Sequence, residues 1–288
     1  MDVVCNNTHF QFSGMDASQI INKYHTGKIS GDAMVLEPCE SIYLYMKGKI
    51  LPVENISLSD IISRVFNEDL YIYYVYSVLK SKGFVVKRDG KKFYYRKPEE
   101  KFDIPVILIK EDDMIDFPSI YNYSPAIFIT VDEEKSITYF RSSRADPFGS
   151  VDSSIIKNGI RKLNNVYYTV NSQPPWFGQD FMGVRILNKF ESAYVLGETN
   201  SEEDMLYSDL IGRNFIVKSG FKYGQNFRIY SESMNDHAEF LVSLMNVDEW
   251  YKISRAIRLS VSVRKKTLLA GFIENKLKYL YIERLKDL

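Results

Sequence analysis

The chain has 288 residues, enough for about two domains at the usual rate of roughly 150 residues each. Its 45% hydrophobic and 14% aromatic content can fill a large core, which excludes a mainly disordered polypeptide. Lys and Arg number 37 and Asp and Glu also 37, so the net charge points to no nucleic-acid or membrane partner, and only the distribution of charge can carry such a signal.

Cys5 and Cys39 are the two cysteines and form no C-x-x-C pair, while His9, His25 and His237 are far apart. A disulfide scaffold and a Cys/His metal centre are therefore not expected. The start lacks a basic leader, and no run of about 18 apolar residues occurs, so a soluble cytoplasmic protein with no membrane partner is expected.

In chain order, the sequence has the pattern of one unit stated twice. A first piece, residues 1–65, holds Leu36 followed by Glu40-Ser41-Ile42-Tyr43. Tyr71-Ile72-Tyr73-Tyr74-Val75-Tyr76 then belongs to a predicted helix with its aromatics toward a core, and Gly83 leads into the strand Phe84 to Lys87. A strand at Ala126 to Val131, an acidic turn at Asp132-Glu133-Glu134 and a strand at Ser136 to Phe140 close the copy. Arg144-Ala145-Asp146-Pro147-Phe148-Gly149-Ser150 has the Pro/Gly signature of a connector.

The second copy repeats the order. Leu187 with Glu191-Ser192-Ala193-Tyr194 answers the first motif, and Tyr207 to Lys218 matches Tyr76 to Lys87 at six of twelve positions without a gap. The unequal offsets of these two matches imply an insertion in the first copy near residues 46 to 66. A Gly-punctuated hairpin from Ser219 to Tyr230 follows. A helix then starts at Asp248-Glu249, acids suited to a helix N-terminus, and runs through Trp250, Ile253 and Ile257. The closing hairpin is Leu268 to Ile273, a turn at Glu274 to Lys276, and Leu277 to Ile282. The expected fold is α/β in the mixed α+β sense, a tandem duplication in which a small N-terminal α/β subdomain precedes a C-terminal subdomain of mixed sheet and helices. The expected boundaries are 1–65, 66–145, 146–199 and 200–288.

Charge that cancels in sum is opposed in its halves. Lys252 to Lys278 contains eight basic residues and one acid, Glu274, whereas Glu99 to Glu134 contains ten acids and only Lys101 and Lys110. Such runs are usually solvated faces. The functional alternative is a phosphate-binding stretch in the second copy and an acidic stretch in the first that docks on a basic surface of another subunit.

Tyr230 ends the hairpin, Asp236-His237-Ala238-Glu239-Phe240-Leu241-Val242 follows it, and Arg264-Lys265-Lys266 follows the helix. Singly, each has an ordinary reading: a packed tyrosine, a hydrogen-bonded surface histidine, a solvated helix end. Together they are absent from the first copy, where Arg96 aligns with Tyr230 and no histidine occurs between His25 and His237. Tyr, His and Lys suit phosphodiester cleavage by a neighbouring ribose 2′-hydroxyl. That reaction needs a base for the hydroxyl, an acid for the departing 5′-oxygen and a cation for charge growing on the phosphoryl oxygens, with no metal or other cofactor. A phenol, with a reference pKa near 10, serves as base only beside cations, which Lys265 and its neighbours supply.

At these residues the sequence resembles the archaeal tRNA-splicing endonucleases of the type in which one chain carries two fused copies and pairs as a homodimer. The resemblance spans nearly the whole chain. It is most specific in the G-x-K-[FY]-G-x-x-F-x-x-Y string ending at Tyr230, in His-Ala-x-Phe-x-Val from His237, in Arg258 through Ser262-Val263-Arg264-Lys265-Lys266, and in Tyr281-Ile282-Glu283-Arg284. It implies Tyr230 as general base, His237 as general acid and Lys265 as stabiliser of the transition state, with Lys266 the nearest rival for that last role. It also implies that Arg258 and Arg284 clamp an unpaired base by cation–π stacking, and that Asp132, Glu133 and Glu134 hold the catalytic unit of a partner chain. The substrate would be precursor tRNA, cut at bulge–helix–bulge sites to leave a 2′,3′-cyclic phosphate and a 5′-hydroxyl. Residues 66–145 would be a degenerate, non-catalytic nuclease-like domain and 200–288 the catalytic one. Two departures from the family pattern are the short loop between Tyr230 and His237 and Val261, which stands where many members have a histidine.

Two other readings stand beside this one. Glu274-Asn275-Lys276 matches the E-x-K fragment of metal-dependent nucleases, although no well-placed acid upstream completes such a site. A non-catalytic RNA-binding or scaffold protein would draw on the aromatics of 71–76 but has no need of the Tyr, His and Lys set.

Overall fold

The structure, a computed structural model, describes residues 2–6, 8–54, 57–65, 70–90, 92–100, 105–152, 154–235 and 237–288. Lys101 and Asp103 of the acidic stretch, Asp236 beside His237, and residue 66, where the second subdomain was expected to begin, lie outside the described residues. Helices and strands are mixed throughout, as the α/β reading requires. The chain forms two compact units, residues 1–110 with 126–139, and residues 111–125 with 140–288.

The first unit opens with a five-stranded sheet in the order Lys28–Ser30, Ala33–Val35, Asp2–Cys5, Thr8–Phe12, Ile50–Pro52. Helix Ala17–Tyr24 starts at a reciprocal cap between Asp16 and Gln19. In helix Leu70–Ser81, Ile72, Val75, Tyr76 and Leu79 recur at helical spacing and are buried. Of the aromatics expected to face a core only Tyr76 does so fully, while Tyr71, Tyr73 and Tyr74 are half-buried because the core-facing positions fall on aliphatic residues. A hairpin of Val85–Asp89 and Lys92–Arg96 pairs with Pro105–Lys110, which runs parallel to Ala126–Val131. All six residues of Ala126–Val131 are buried, as expected of a strand covered on both faces.

The second unit begins with four short antiparallel strands, Ile160–Leu163, Val166–Thr169, Val184–Leu187 and Gln179–Phe181, followed by helices Lys189–Leu196 and Glu202–Gly212. The repeat detected in the sequence recurs here as one hydrogen-bond pattern. Glu191 sits at the third position of its helix, and its carboxylate accepts the backbone N–H of Asn188 at 3.0 Å and of Gly178 at 3.1 Å. In the first unit Glu40 does the same for Glu37 at 2.9 Å and Gly27 at 3.2 Å. The inserted segment of the first copy is strand Ile50–Pro52 with helix Leu58–Val65, lying between the two helices that follow one another directly in the second.

The larger sheet of the second unit runs Ile216–Ser219, Phe227–Tyr230, Phe240–Leu244, Lys266–Ile273, Lys276–Leu285. Phe190 and Tyr207 pack against Phe227 of this sheet, at 4.8 and 5.7 Å between ring centres, and stack on one another at 5.8 Å. The segment 111–125 joins this unit through strand Met114–Asp116, paired antiparallel with Val247–Glu249, and through helix Phe117–Tyr123, capped by Asp116. Phe117 lies against Gly271, and a β-carbon on that glycine would overlap the Phe117 ring.

The Pro/Gly connector is tied down along its length. Arg213 forms ion pairs with Asp146 and Asp209, both at 2.5 Å, and its guanidinium stands 4.9 Å from the Phe148 ring. Beyond it Gly149 N–H donates to the Arg213 carbonyl at 2.8 Å and Val151 N–H to that of Asn214 at 3.0 Å. Between them Ser150 donates both its N–H, at 2.8 Å, and its hydroxyl, at 3.1 Å, to the carbonyl of Ser231. Among the described residues no helix is long and apolar enough to cross a membrane.

Candidate active site

Strand pairing brings Tyr230, Lys265 and the segment that follows His237 to one end of the sheet. Phe240 pairs with Ile229 on one side and with Lys266 on the other, antiparallel and parallel respectively. Tyr230, Glu239 and Lys265 are each one step beyond that row, and because of the strand directions the step leads to the same end of the sheet. Two further backbone bonds extend the ladder there, Glu239 N–H to the Ile229 carbonyl at 3.1 Å and Lys266 N–H to the Glu239 carbonyl at 3.0 Å.

Helix Trp250–Ser262 delivers the lysines. Its buried face carries Trp250, Ile253, Ile257 and Ser260. It ends in a Schellman turn, with Lys265 N–H on the Ser260 carbonyl at 2.9 Å and Arg264 N–H on that of Val261 at 3.0 Å. The turn needs a left-handed residue, and Arg264 fills it at φ 56°. Glycine is the usual choice, since a side chain in that region costs about 1 kcal/mol.

Tyr230 and His237 line one cavity of about 380 Å³, with Ser231, Glu239, Arg264 and Lys266 on its walls. Tyr230 is buried among core residues and His237 is exposed. Lys265 donates from Nζ to the Ala238 carbonyl at 2.8 Å, one residue from His237. Lys266 is differently engaged, with its Nζ 3.0 Å from Glu239 Oε1. Glu239 Oε2 in turn accepts the Ser231 hydroxyl at 2.6 Å. Burial pushes the Glu239 carboxyl up, but the hydrogen bonds from Ser231 and Lys266 together outweigh it and hold the carboxyl below its usual range. The bond to Glu239 raises the Lys266 ammonium above its ordinary value. The Lys266 charge is thus compensated, whereas no described carboxylate pairs with Lys265.

Arg284 is exposed and lines a second cavity of about 610 Å³, which also meets Lys265 and shares Arg264 and Lys266 with the first. Arg258 is exposed on the Trp250–Ser262 helix and is not among the residues lining either cavity. In the first unit, the 132–134 turn closes with Asp132 accepting the Ser136 N–H at 2.7 Å, while Glu133 and Glu134 are exposed. Glu274 and Asn275 occupy the closing hairpin's tip, both at positive φ as a two-residue type I′ turn requires, so the E-x-K fragment has a structural role as a turn. Among the described residues no three His, Cys, Asp or Glu side chains gather as a metal-ligand group. Sequence reasoning missed Glu239 and Ser231, of which Glu239 lay inside the quoted histidine string.

Comparison with known proteins identifies the family of the chain. The family model for the catalytic C-terminal domain of tRNA intron endonuclease matches residues 203–279, a stretch that contains Tyr230, His237 and Lys265. Over 287 residues the chain is 39% identical to the tRNA-splicing endonuclease of Picrophilus torridus, covering 99% of this chain and 98% of that one. It is 36% identical over 293 residues to that of Thermoplasma volcanium, covering 100% and 99%. A more distant similarity, 24% over 329 residues, joins it to the tRNA-splicing endonuclease of Methanosarcina barkeri, covering 90% and 92%. The chain belongs to the tRNA-splicing endonuclease family, and it is an endonuclease.

Proposed function

We propose that the protein excises introns from precursor tRNA by metal-independent cleavage at bulge–helix–bulge sites, leaving a 2′,3′-cyclic phosphate and a 5′-hydroxyl. The observation that carries this reading is the convergence of Tyr230 and His237 on one cavity with Lys265 hydrogen-bonded beside the histidine, at the common end of three adjacent strands. Tyr230 takes the proton of the ribose 2′-hydroxyl, whose oxygen attacks the adjacent phosphorus. The bond from phosphorus to the 5′-oxygen breaks, and His237 gives that oxygen a proton. Lys265 offsets the charge growing on the phosphoryl oxygens. Lys265 fits this part better than Lys266 because Glu239 already compensates the latter's charge.

Only the second copy carries the set, so one chain supplies one active unit and a homodimer supplies the two that an intron's two ends need. The exposed acids at Glu133 and Glu134, with Asp132, are the proposed dimer contact, and Arg258 and Arg284 the proposed clamp on an unpaired base. The four-subdomain division with boundaries after 65, 145 and 199 remains part of this reading. A cytoplasmic setting fits the free, buried thiols of Cys5 and Cys39.

The test is cleavage of an end-labelled bulge–helix–bulge RNA in excess chelator. Wild type should give cyclic phosphate ends, and His237→Ala should cut at least about 100-fold more slowly. Loss of wild-type activity on chelation, or an undiminished His237→Ala rate, would refute the mechanism.

A further inference from the structure

The cavity of about 610 Å³ beside the one that holds Tyr230 and His237 takes Lys265 and Arg284 on its wall, but the function proposed above gives no part to its Arg141, Arg264 or Thr267. Five cations line it, Arg141, Arg264, Lys265, Lys266 and Arg284, against one carboxylate, Glu283. Arg141 comes from strand Ile137–Ala145 and is 3.5 Å from Glu283, while Arg264 has no ion-pair partner among the described residues. The same wall includes Thr267, only 2% exposed, whose hydroxyl is buried without any hydrogen-bond partner. A buried polar group left unpaired is rare in a folded protein and costly, so a ligand that completes it is the economical explanation. Arg264 adds a second indication. It occupies the left-handed position of a helix-ending turn that glycine fills with less strain, so its side chain has a use that the backbone does not explain.

Guanidinium groups lining one cavity with an unpaired hydroxyl-bearing residue match an anion with several acceptor oxygens. The cavity shares Arg264 and Lys266 with the one that holds Tyr230 and His237, so the two adjoin and a strand bound at one lies within reach of the other. We propose that this groove binds a backbone phosphate of the RNA strand next to the scissile one, held by Arg141 and Arg264 and accepting a hydrogen bond from Thr267. The inference rests on the RNA-cleaving function proposed above and adds a subsite that keeps the cut strand in register.

The experiment measures binding of a bulge–helix–bulge RNA, made uncleavable by 2′-deoxy substitution at both cut sites, between 50 and 200 mM salt. A contact to a single-strand phosphate contributes about 0.7 to the slope of log affinity against log salt. Arg264→Gly and Arg141→Ala should each lower the slope by about that amount, and Arg264→Gly should keep or raise the Tm because the turn is retained. Thr267→Val, which preserves shape, should weaken binding about tenfold without lowering the Tm. Replacing RNA phosphates one at a time by neutral methylphosphonates should reveal one position whose effect disappears in Arg264→Gly. An unchanged slope in both arginine variants would overturn the phosphate site. So would conversion of either variant to monomers on sizing, which would assign the groove to a second copy of the chain. If wild type neither bound nor cut the RNA, the cleavage function itself would fall, an outcome distinct from wild-type cutting with unaltered variant slopes.

Discussion

Where regular pairing of the sheet stops at Phe240, the carboxylate of Glu239 takes over. It holds the hydroxyl of Ser231, next to Tyr230, and the ammonium of Lys266, next to Lys265, while its own backbone lies two residues from His237. One side chain therefore ties together the three segments that carry the proposed chemistry. Removing it should displace reacting groups more than it destabilises the fold, because exposed ion pairs contribute under about 1 kcal/mol. Glu239→Ala is expected to slow cleavage by roughly 100-fold with little change in KM, as misplacement of about 1 Å can do. Glu239→Gln should recover most of the rate, since an amide can accept from Lys266 and donate to Ser231. Equal, small losses in both variants, measured by single-turnover kinetics, would remove Glu239 from this positioning role. The carboxyl is held low by its partners, so its contribution to stability is complete above the ordinary glutamate pKa of about 4.3 and is lost as pH falls through the lower folded value. The Tm difference between wild type and Glu239→Gln should accordingly narrow in acid and stay constant between pH 6 and 8.

Among the elements, helix Phe117–Tyr123 and strand Lys266–Ile273 meet at a contact with no spare room, where Phe117 covers Gly271. Gly271→Ala should cost about 1–3 kcal/mol, the usual range for overpacking, read as a lower denaturation midpoint at unchanged m. A midpoint equal to wild type would show that the helix can shift to make room. This contact also marks how far the sequence could be read. Local pattern revealed the duplication, the closing hairpins and the helix through Trp250, Ile253 and Ile257, because caps, period and turn residues are properties of neighbours in the chain. The expected start of that helix at Asp248-Glu249 lies instead in a short strand, with Glu249 as the helix's N-cap. Tyr230, His237 and Lys265 stood out because they are chemically unusual as a set and missing from the first copy. The pairing of Glu239 with Ser231 and Lys266 did not stand out, because an ion pair across strands depends on register, which one sequence does not display. Neither did the attachment of the connector through Arg213 and Ser150, since Pro and Gly describe only a turn and Arg213 is distant in the chain.

For the molecule as a whole, balanced net charge conceals two copies with opposite local charge. The acidic copy lacks the Tyr, His and Lys set, and its exposed Glu133 and Glu134 are proposed to bind a partner. Replacing Asp132, Glu133 and Glu134 with lysine should turn dimers into monomers in light scattering or sizing, with the monomer's Tm near that of wild type at low salt. A persistent dimer would remove the turn from the interface.

The grouping of residues 111–125 with the second unit bears on how this chain can change over time. A duplicated copy relieved of catalysis is ordinarily free to drift. Here fifteen residues of the copy proposed to be inactive complete the other unit: Met114–Asp116 pairs with Val247–Glu249 and Phe117 packs against Gly271. On the proposed function, selection on cleavage therefore reaches into the first copy as well. A gene split at the connector would divide that shared piece from the half that depends on it, so the two copies can part only if one keeps what the other lent.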